Sequence, residues 1–209
     1  MIRGKKLVII GAGGHGKVVA DVAGKLCFYE TILFLDDRGT VTECCGFPVA
    51  GKSGNAAEYI GKADIFVAIG SADARARVMA GLIKAGASLP VLIHPDAVVG
   101  QGAVIGRGTV VMAGAVINSD AQIGEGCIVN TCSSVDHDCI LKDYVHVSVG
   151  AHVAGGVQIG DKTWIGAGAV VSNHVKIAPD CMVGAGAVVV KDILVAGTYV
   201  GVPARLIHS

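Results

Sequence analysis

The segment Val135-Asp136-His137-Asp138-Cys139 sets one imidazole between two carboxylates. Histidine changes charge near neutral pH, so it suits proton transfer, and general-base help is worth about 10²–10⁴ in rate. A carboxylate on one ring nitrogen would fix the tautomer and stabilise the imidazolium, leaving the other nitrogen to take a proton. His137 is the candidate base, with Asp138 or Asp136 as the residue that orients it. A second set lies near the amino terminus. Gly11, Gly13 and Gly16 of Gly11-Ala-Gly-Gly-His-Gly16 match G-x-G-x-x-G between an apolar run and a helical pattern, and Asp36-Asp37 follow about twenty residues later. Glycine there lets backbone approach a pyrophosphate whose charge faces the helix amino terminus. The ligand could be NAD or a nucleotide-sugar, and a tight turn with no ligand is the bland alternative. Cys44-Cys45 are adjacent, and Cys127, Cys132 and Cys139 are spaced wrongly for zinc. The seven cysteines are expected to be reduced, mostly structural thiols, and no metal is expected.

The elements that must position these residues fall into two halves. From Ile93 to Val195 every sixth residue is a branched aliphatic, without gap or insertion. With about a third of residues of that kind, chance would give such a run roughly once in 10⁸ tries, so accident is rejected. A period of six fits neither a helix, a flat sheet, a heptad nor a collagen triplet. It predicts a parallel β-helix, a prism whose eighteen-residue coils stack each aliphatic on its counterpart one coil away, with Gly or small polar residues at the corners. Gly100, Gly106, Gly124, Gly160, Gly166 and Gly184 directly follow the aliphatic positions. Before Ile93 the pattern is strand and helix in alternation: strands at Lys6–Ile10, Ile32–Leu35 and Ile65–Ile69, and helices to about Lys25, over Ser53–Ile60 and over Ala72–Ala85. That is a Rossmann-like half-domain of residues 1–90, followed by a β-helix of residues 91–209. The half-domain is small for a dinucleotide, which favours the nucleotide-sugar.

Composition agrees with this division and narrows the partners. Gly is 31 of 209 residues, about twice its usual 7% share, while aromatics are only 4%. A core of Val, Ile and Ala is implied. Lys+Arg and Asp+Glu both number 17, so there is no electrostatic footprint for nucleic acid. Mean hydropathy is high at +0.62. Yet the longest stretch free of charged side chains, Tyr144 to Gly160, carries His146, His152, Gln158 and repeated Gly, so no membrane insertion is expected. The first ten residues, MIRGKKLVII, do not read as a secretion signal, and a cytoplasmic location is expected.

The order of motifs resembles a known family: GAGGHG, FLDD (Phe34–Asp37), AIG (Ala68–Gly70), HPDA (His94–Ala97), NTCSSVDHDC (Asn130–Cys139), HVSVGAHVAG (His146–Gly155) and GVPAR (Gly201–Arg205). It is similar to hexapeptide-repeat sugar acetyltransferases of sialic-acid and bacillosamine type, above all the UDP-4-amino-sugar N-acetyltransferases. The resemblance implies a left-handed prism, a homotrimer, acetyl-CoA in the groove between adjacent prisms, and a UDP-linked amino-sugar substrate. It also implies that His137 is the base with an acidic residue directly after it, here Asp138 where the family most often has Glu. His146 would contact acetyl-CoA near the thioester, under Trp164 stacked eighteen residues on. Gly155 and Ala167 would offer backbone groups to the cofactor. Gly13, Gly14 and His15 would cradle the nucleotide-sugar, Asp36 and Asp37 would meet its uridine end, and Gly70 with Ser71 would close the pocket. His152 and His174 are expected at corners, and His94 at the joint between the domains. Cys139, two residues beyond His137, is an alternative nucleophile if strand alternation puts it on the same side. Rival functions are O-acetylation of sialic acid or another sugar, a non-catalytic nucleotide-sugar sensor or scaffold, and an NAD-dependent enzyme.

Overall fold

The computed structural model describes residues 5–208, which divide between Pro95 and Asp96 into two compact units. The signal-peptide expectation rests partly on residues 1–4, which lie outside the described residues.

In the first unit β1 (Lys5–Ile10) is the buried centre: Leu7, Val8, Ile9 and Ile10 are at most 2% exposed. A strand apolar on both faces needs cover on both, which is the condition of a parallel sheet inside an α/β layer. It is followed by α1 (Gly14–Lys25), β2 (Tyr29–Leu35), β3 (Glu43–Cys44), β4 (Phe47–Gly51), β5 (Asp64–Val67) and α2 (Ala72–Lys84). The strand order is β3-β4-β2-β1-β5, parallel except for the β3–β4 hairpin. Two features differ from the sequence pattern. The Ser53–Ile60 helix is a 3₁₀ turn over Ser53–Tyr59, and the hairpin is an addition to the expected strands. β4 is apolar in sequence, Phe-Pro-Val-Ala-Gly, but Pro48 and Gly51 read as strand breakers, and its residues alternate half-buried with exposed instead of being buried throughout.

In the second unit the six-residue period is realised as three parallel sheets, each a face of a left-handed prism. Partners are eighteen residues apart, as in Ile117↔Val135, Val129↔Val147 and Leu141↔Ile159. From Val111 to Val189 every aliphatic of the series is at most 3% exposed. A second inward position lies two residues before each aliphatic and holds residues such as Ala115, Cys127, Cys139, Val145, Ala151 and Cys181. That placement explains three of the cysteines, and all seven are free thiols.

Two kinds of glycine keep the coils stacked. Those directly after the aliphatic are not the corners: a Cβ on Gly106 would stand 2.6 Å from the backbone of Gly124 in the next coil. The corners come two residues later and adopt positive φ at each sixth residue from 102 to 186. Gly occupies eight of these corners, while Asp120, Cys132, Asp138, Tyr144, Lys162, His174 and Asp180 hold the rest with φ between 53° and 62°. The repeat fails at its last expected position. Val195 is 59% exposed, while Ile193 is buried and bridges Ile177. Beyond it, Gly197–Val200 and Arg205–His208 form an antiparallel hairpin that ends one face.

Candidate active site

His137 stands at the corner leading from the Ser134–Val135 strand to the Ile140–Leu141 strand. Its Nδ1 lies 2.7 Å from Asp138 Oδ2. The carboxylate can only accept, so Nδ1 carries the proton and Nε2 is left as the basic nitrogen. The shorter Asp reaches the ring because Asp138 has φ +58, which breaks the alternation that would send consecutive side chains to opposite faces. Asp136 does something different. Its Oδ1 accepts from the backbone N–H of His137 at 2.8 Å and from Asn118 Nδ2 at 2.7 Å. The Asp138 hydrogen bond, and then the Asp136 charge, hold the imidazole pKa above its ordinary value. The Asn118 and His137 hydrogen bonds hold Asp136 below its own.

Gly155, in the following coil, is where the ring rests: a Cβ there would stand 2.6 Å from His137 Nε2. Cys139 does not share that side. It fills the inward slot at 0% exposure, its Sγ 3.1 Å from the Ala154 carbonyl, and burial pushes its thiol pKa up. The positive φ of Asp138 resets the strand phase, so Cys139 is a core thiol rather than an alternative nucleophile.

His146 and Trp164 pair across adjacent coils on another face and stack with centroids 5.1 Å apart and planes 22° apart, as the eighteen-residue spacing requires. Asn130 Nδ2 lies 3.1 Å from His146 Nε2, and Trp164 Nε1 donates to Ser148 Oγ. Ala167 is exposed in the turn after Trp164–Ile165, and its carbonyl accepts from Gly186. Within one chain His137 thus lies at the corner between two faces of the prism and His146 on the third face. His174 is a corner residue as expected, whereas His152 lies in the His152–Val153 strand and meets Ser134 Oγ at 2.9 Å.

In the first unit the loop after β1 is shaped by glycine twice over. Gly11 has φ +103, and a Cβ there would come within 2.8 Å of the Ala68 carbonyl; a Cβ on Gly16 would strike the Gly11 carbonyl. Gly13 and Gly14, by contrast, have no atom within 4 Å of a hypothetical Cβ, so the loop is open on that side. Gly13 caps α1 with no side chain, so no capping side chain accepts from the helix-start N–H groups. His15 is partly exposed, but its Nε2 is buried with no hydrogen-bond partner. Burial, and then the charge of Arg75, lower its pKa to about 4.

The two aspartates after β2 are spent within the protein. Asp36 accepts from Ala12 N–H at 2.7 Å and takes Arg38 at 2.8 and 2.9 Å, so its carboxyl lies well below the usual range. Asp37 accepts from the Ser53 backbone N–H at 2.9 Å and from its hydroxyl, anchoring the 3₁₀ turn. A recess of about 240 Å³, lined by Gly11, Asp36, Asp37, Arg38, Ser53 and Ile69 among others, opens at the carboxyl ends of β1 and β2. Open α/β sheets bind ligands at that edge. Ser71 caps α2 by accepting from Ala74 N–H, beside Gly70. Arg75 carries no signal in the sequence, where it is one arginine on an amphipathic helix. It is 1% exposed and donates to the carbonyls of Ile69 at 2.7 Å and Gly70 at 2.9 Å, fixing the turn between β5 and α2.

Among the described residues no group of three His, Cys, Asp or Glu could hold a metal ion, and no helix is long and apolar enough to cross a membrane. Residues 6–82 match the PglD N-terminal domain, and residues 156–191 match the bacterial transferase hexapeptide of six repeats. The chain is 30% identical over 161 residues to GDP-perosamine N-acetyltransferase of Escherichia coli O157:H7, covering 75% of this chain and 73% of that one. It is 36% identical over 112 residues to UDP-N-acetylbacillosamine N-acetyltransferase of Bacillus subtilis (strain 168), covering 52% of each. Among solved structures, the acetyltransferase domain of PglB from Neisseria gonorrhoeae FA1090 in complex with acetyl coenzyme A superposes with a TM-score of 0.94. The identity there is 44%, over 98% of this chain and 100% of that one. With whole-chain likeness at this level joined to a half-domain and a hexapeptide prism, the chain belongs to the hexapeptide-repeat sugar N-acetyltransferases, enzymes that use acetyl-CoA.

Proposed function

We propose that this enzyme transfers the acetyl group of acetyl-CoA to the 4-amine of a UDP-linked amino-dideoxy sugar, acting as a cytoplasmic homotrimer. The observation that carries the chemistry is the His137–Asp138 contact at 2.7 Å, which leaves Nε2 as the proton acceptor. The amine nitrogen attacks the thioester carbonyl, Nε2 takes the nitrogen's proton as the C–N bond forms, and the thiolate leaves and is protonated. His137 is catalytic in this scheme and Asp138 orients it. His146 and Ala167 lie along the acetyl-CoA path, and Gly155 leaves room for the ring as well as for the cofactor.

In the first unit Gly13 and Gly14 meet the diphosphate of the nucleotide-sugar, and His15 offers its buried Nε2. Asp36 and Asp37 border the uridine end by holding the loop and the 3₁₀ turn in place, and Gly70 with Ser71, at the start of α2 next to Ile69 of the recess lining, closes the nucleotide-sugar pocket. A second reading has an observation in its favour: the likeness to a GDP-perosamine enzyme extends over more of the chain than the likeness to the UDP-sugar enzyme. Thiol release from acetyl-CoA separates them, with UDP- and GDP-linked 4-amino-4,6-dideoxy sugars and sialic acid offered in parallel. Turnover with the UDP sugar is expected. Turnover with the GDP sugar alone overturns the nucleotide, and turnover with sialic acid alone overturns the amine in favour of a hydroxyl.

A further inference from the structure

We infer that Asn118 and Asp136 form a positioning pair that sets the backbone of the catalytic corner, and that this pair is distinct from the Asp138 contact. The inference rests on His137 being the base. Asp136 Oδ1 accepts two hydrogen bonds, one from Asn118 Nδ2 in the preceding coil and one from the N–H of His137 itself. That second bond fixes the peptide whose Cα carries the imidazole. The corner is also held by backbone: Asp138 N–H donates to Ser119 C=O, and Gly156 N–H donates to His137 C=O. His137 is therefore gripped on both sides of its Cα, with Asp136 supplying the bond on the amino side.

Other carboxylates on the prism behave differently. Asp143 Oδ1 accepts from Glu125 N–H and Asp161 Oδ1 from Asp143 N–H, each tying one coil to the backbone of the coil before. Such bonds stack coils. Asp136 instead turns its oxygen onto the next residue of its own coil, and the coil-to-coil link comes from an amide side chain built to donate. The residues at the same edge in the neighbouring coils are Gly100, Ala154 and Ser172, which cannot build this bridge from a carboxamide to a carboxylate. The pairing is confined to the coil that carries the base and the coil before it. Consecutive dihedrals at the corner place Nε2, so a small rotation about the His137 N–Cα bond moves the proton acceptor by a large fraction of an ångström. Misplacement of about 1 Å can cost roughly a hundredfold in rate.

The test is a hydrogen-bond exchange measured by acetyl-CoA thiol release with the acceptor that supports wild-type turnover. Asn118→Asp sets two carboxylates against each other and is expected to lower kcat about thirtyfold, with KM for acetyl-CoA within twofold of wild type. The double exchange Asn118→Asp/Asp136→Asn restores one donor and one acceptor, since the carboxamide now at position 136 can donate to the carboxylate at position 118 and accept from His137 N–H. It is expected to recover at least tenfold of the loss. Asn118→Ala, which repels nothing, gives the milder case, about tenfold in kcat with the same KM. Failure of the exchange to recover kcat, kcat unchanged in both single variants, or KM rising in step with the fall in kcat would each overturn the inference. His137→Ala run beside them separates the two levels: loss there with Asn118 silent removes only the pair, whereas full activity there removes the base.

Discussion

Replacement of Gly155 by Ala sets stability and activity against each other. A Cβ on Gly155 would stand 2.6 Å from His137 Nε2, 2.8 Å from Cε1 and 3.2 Å from Cδ2. Non-bonded atoms are at ease near about 3.5 Å, so the ring must retreat by about 0.9 Å or turn about its side-chain bonds. The protein can allow this cheaply. The His137 side chain is 56% exposed, and the φ of Gly155 lies outside the glycine-favouring region. Fixing the unfolded chain with Ala is worth about 0.4–1 kcal/mol in favour of the fold, which offsets the cost of turning an exposed ring. In the proposed mechanism activity has no such escape, because the displaced atom is the nitrogen assigned to take the proton. A shift approaching 1 Å lowers kcat by about ten- to a hundredfold. Thermal unfolding and acetyl-CoA thiol release are measured on the same preparation, with Gly156→Ala as comparator. Gly156 has φ +69, and a Cβ there meets His174 rather than His137, so that variant should lose stability and keep its turnover per folded molecule. If Gly155→Ala keeps kcat within twofold of wild type, or loses both properties together, the seat of the ring is not what makes this position Gly.

Further consequences attach to the titrating and buried groups. A general base works when neutral, so kcat/KM should rise with pH through a His137 pKa held above its ordinary value; Asp138→Asn removes the main cause, moving that acid limb to lower pH and lowering the plateau. An unmoved limb in the variant would show that Asp138 does not govern the ring. His15 has a folded pKa of about 4 against 6.5 in the unfolded chain, so the unfolded state takes the proton first as pH falls. Its contribution to stability is complete above pH 6.5 and is lost on the way down to about pH 4, and urea unfolding of His15→Gln across that window should show a flatter slope than wild type. Arg75→Met leaves the Ile69 and Gly70 carbonyls without the donor they have now, at a cost of about 1–3 kcal/mol for each one left unsatisfied, read as a lower denaturation midpoint. An unchanged midpoint would mean that water or a shifted turn replaces the guanidinium.

The prism was legible almost to the residue because its signal is repeated. Each inward aliphatic is specified independently, so one weak position such as Thr109 or Gly184 beside the series cannot blur the period. The stack of His146 on Trp164 followed from the same spacing. The end of the repeat was not legible: Val195 continues the period in sequence, yet Ile193 takes the buried place once there is no further coil to stack against. Nor was the division of labour among the glycines, since sequence cannot distinguish a Gly needed for close approach from one needed for positive φ. In the first unit β1, α1 and α2 declared themselves through apolar runs in strand and helix alternation, while the β3–β4 hairpin is too short, and too interrupted by Gly46, Pro48 and Gly51, to do so. Arg75 was invisible because burial of a charged residue depends on which carbonyls the fold turns toward it.

The corner that carries His137 shows why adjacent residues can act as a pair in this fold. Along a strand the side chains of consecutive residues diverge to opposite faces, so a histidine and the aspartate after it would not meet. The prism must turn every six residues, and it does so through positive φ. A turn of that kind costs most residues about 1–2 kcal/mol, but Asp is among the few that enter it readily. Asp138 therefore answers two demands with one side chain, shaping the corner at φ +58 and reaching the ring at 2.7 Å. The same requirement separates the neighbouring carboxylates. Asp136 comes before the turn, where its oxygen meets the backbone of His137 instead of the ring. Exchanging the two functions would require moving the turn, and with it the register of every coil that follows. The geometry of the His137–Asp138 pair is thus fixed by the period of the repeat, and an insertion of one residue between Val135 and Cys139 would disrupt the pair and the stacking of the core together.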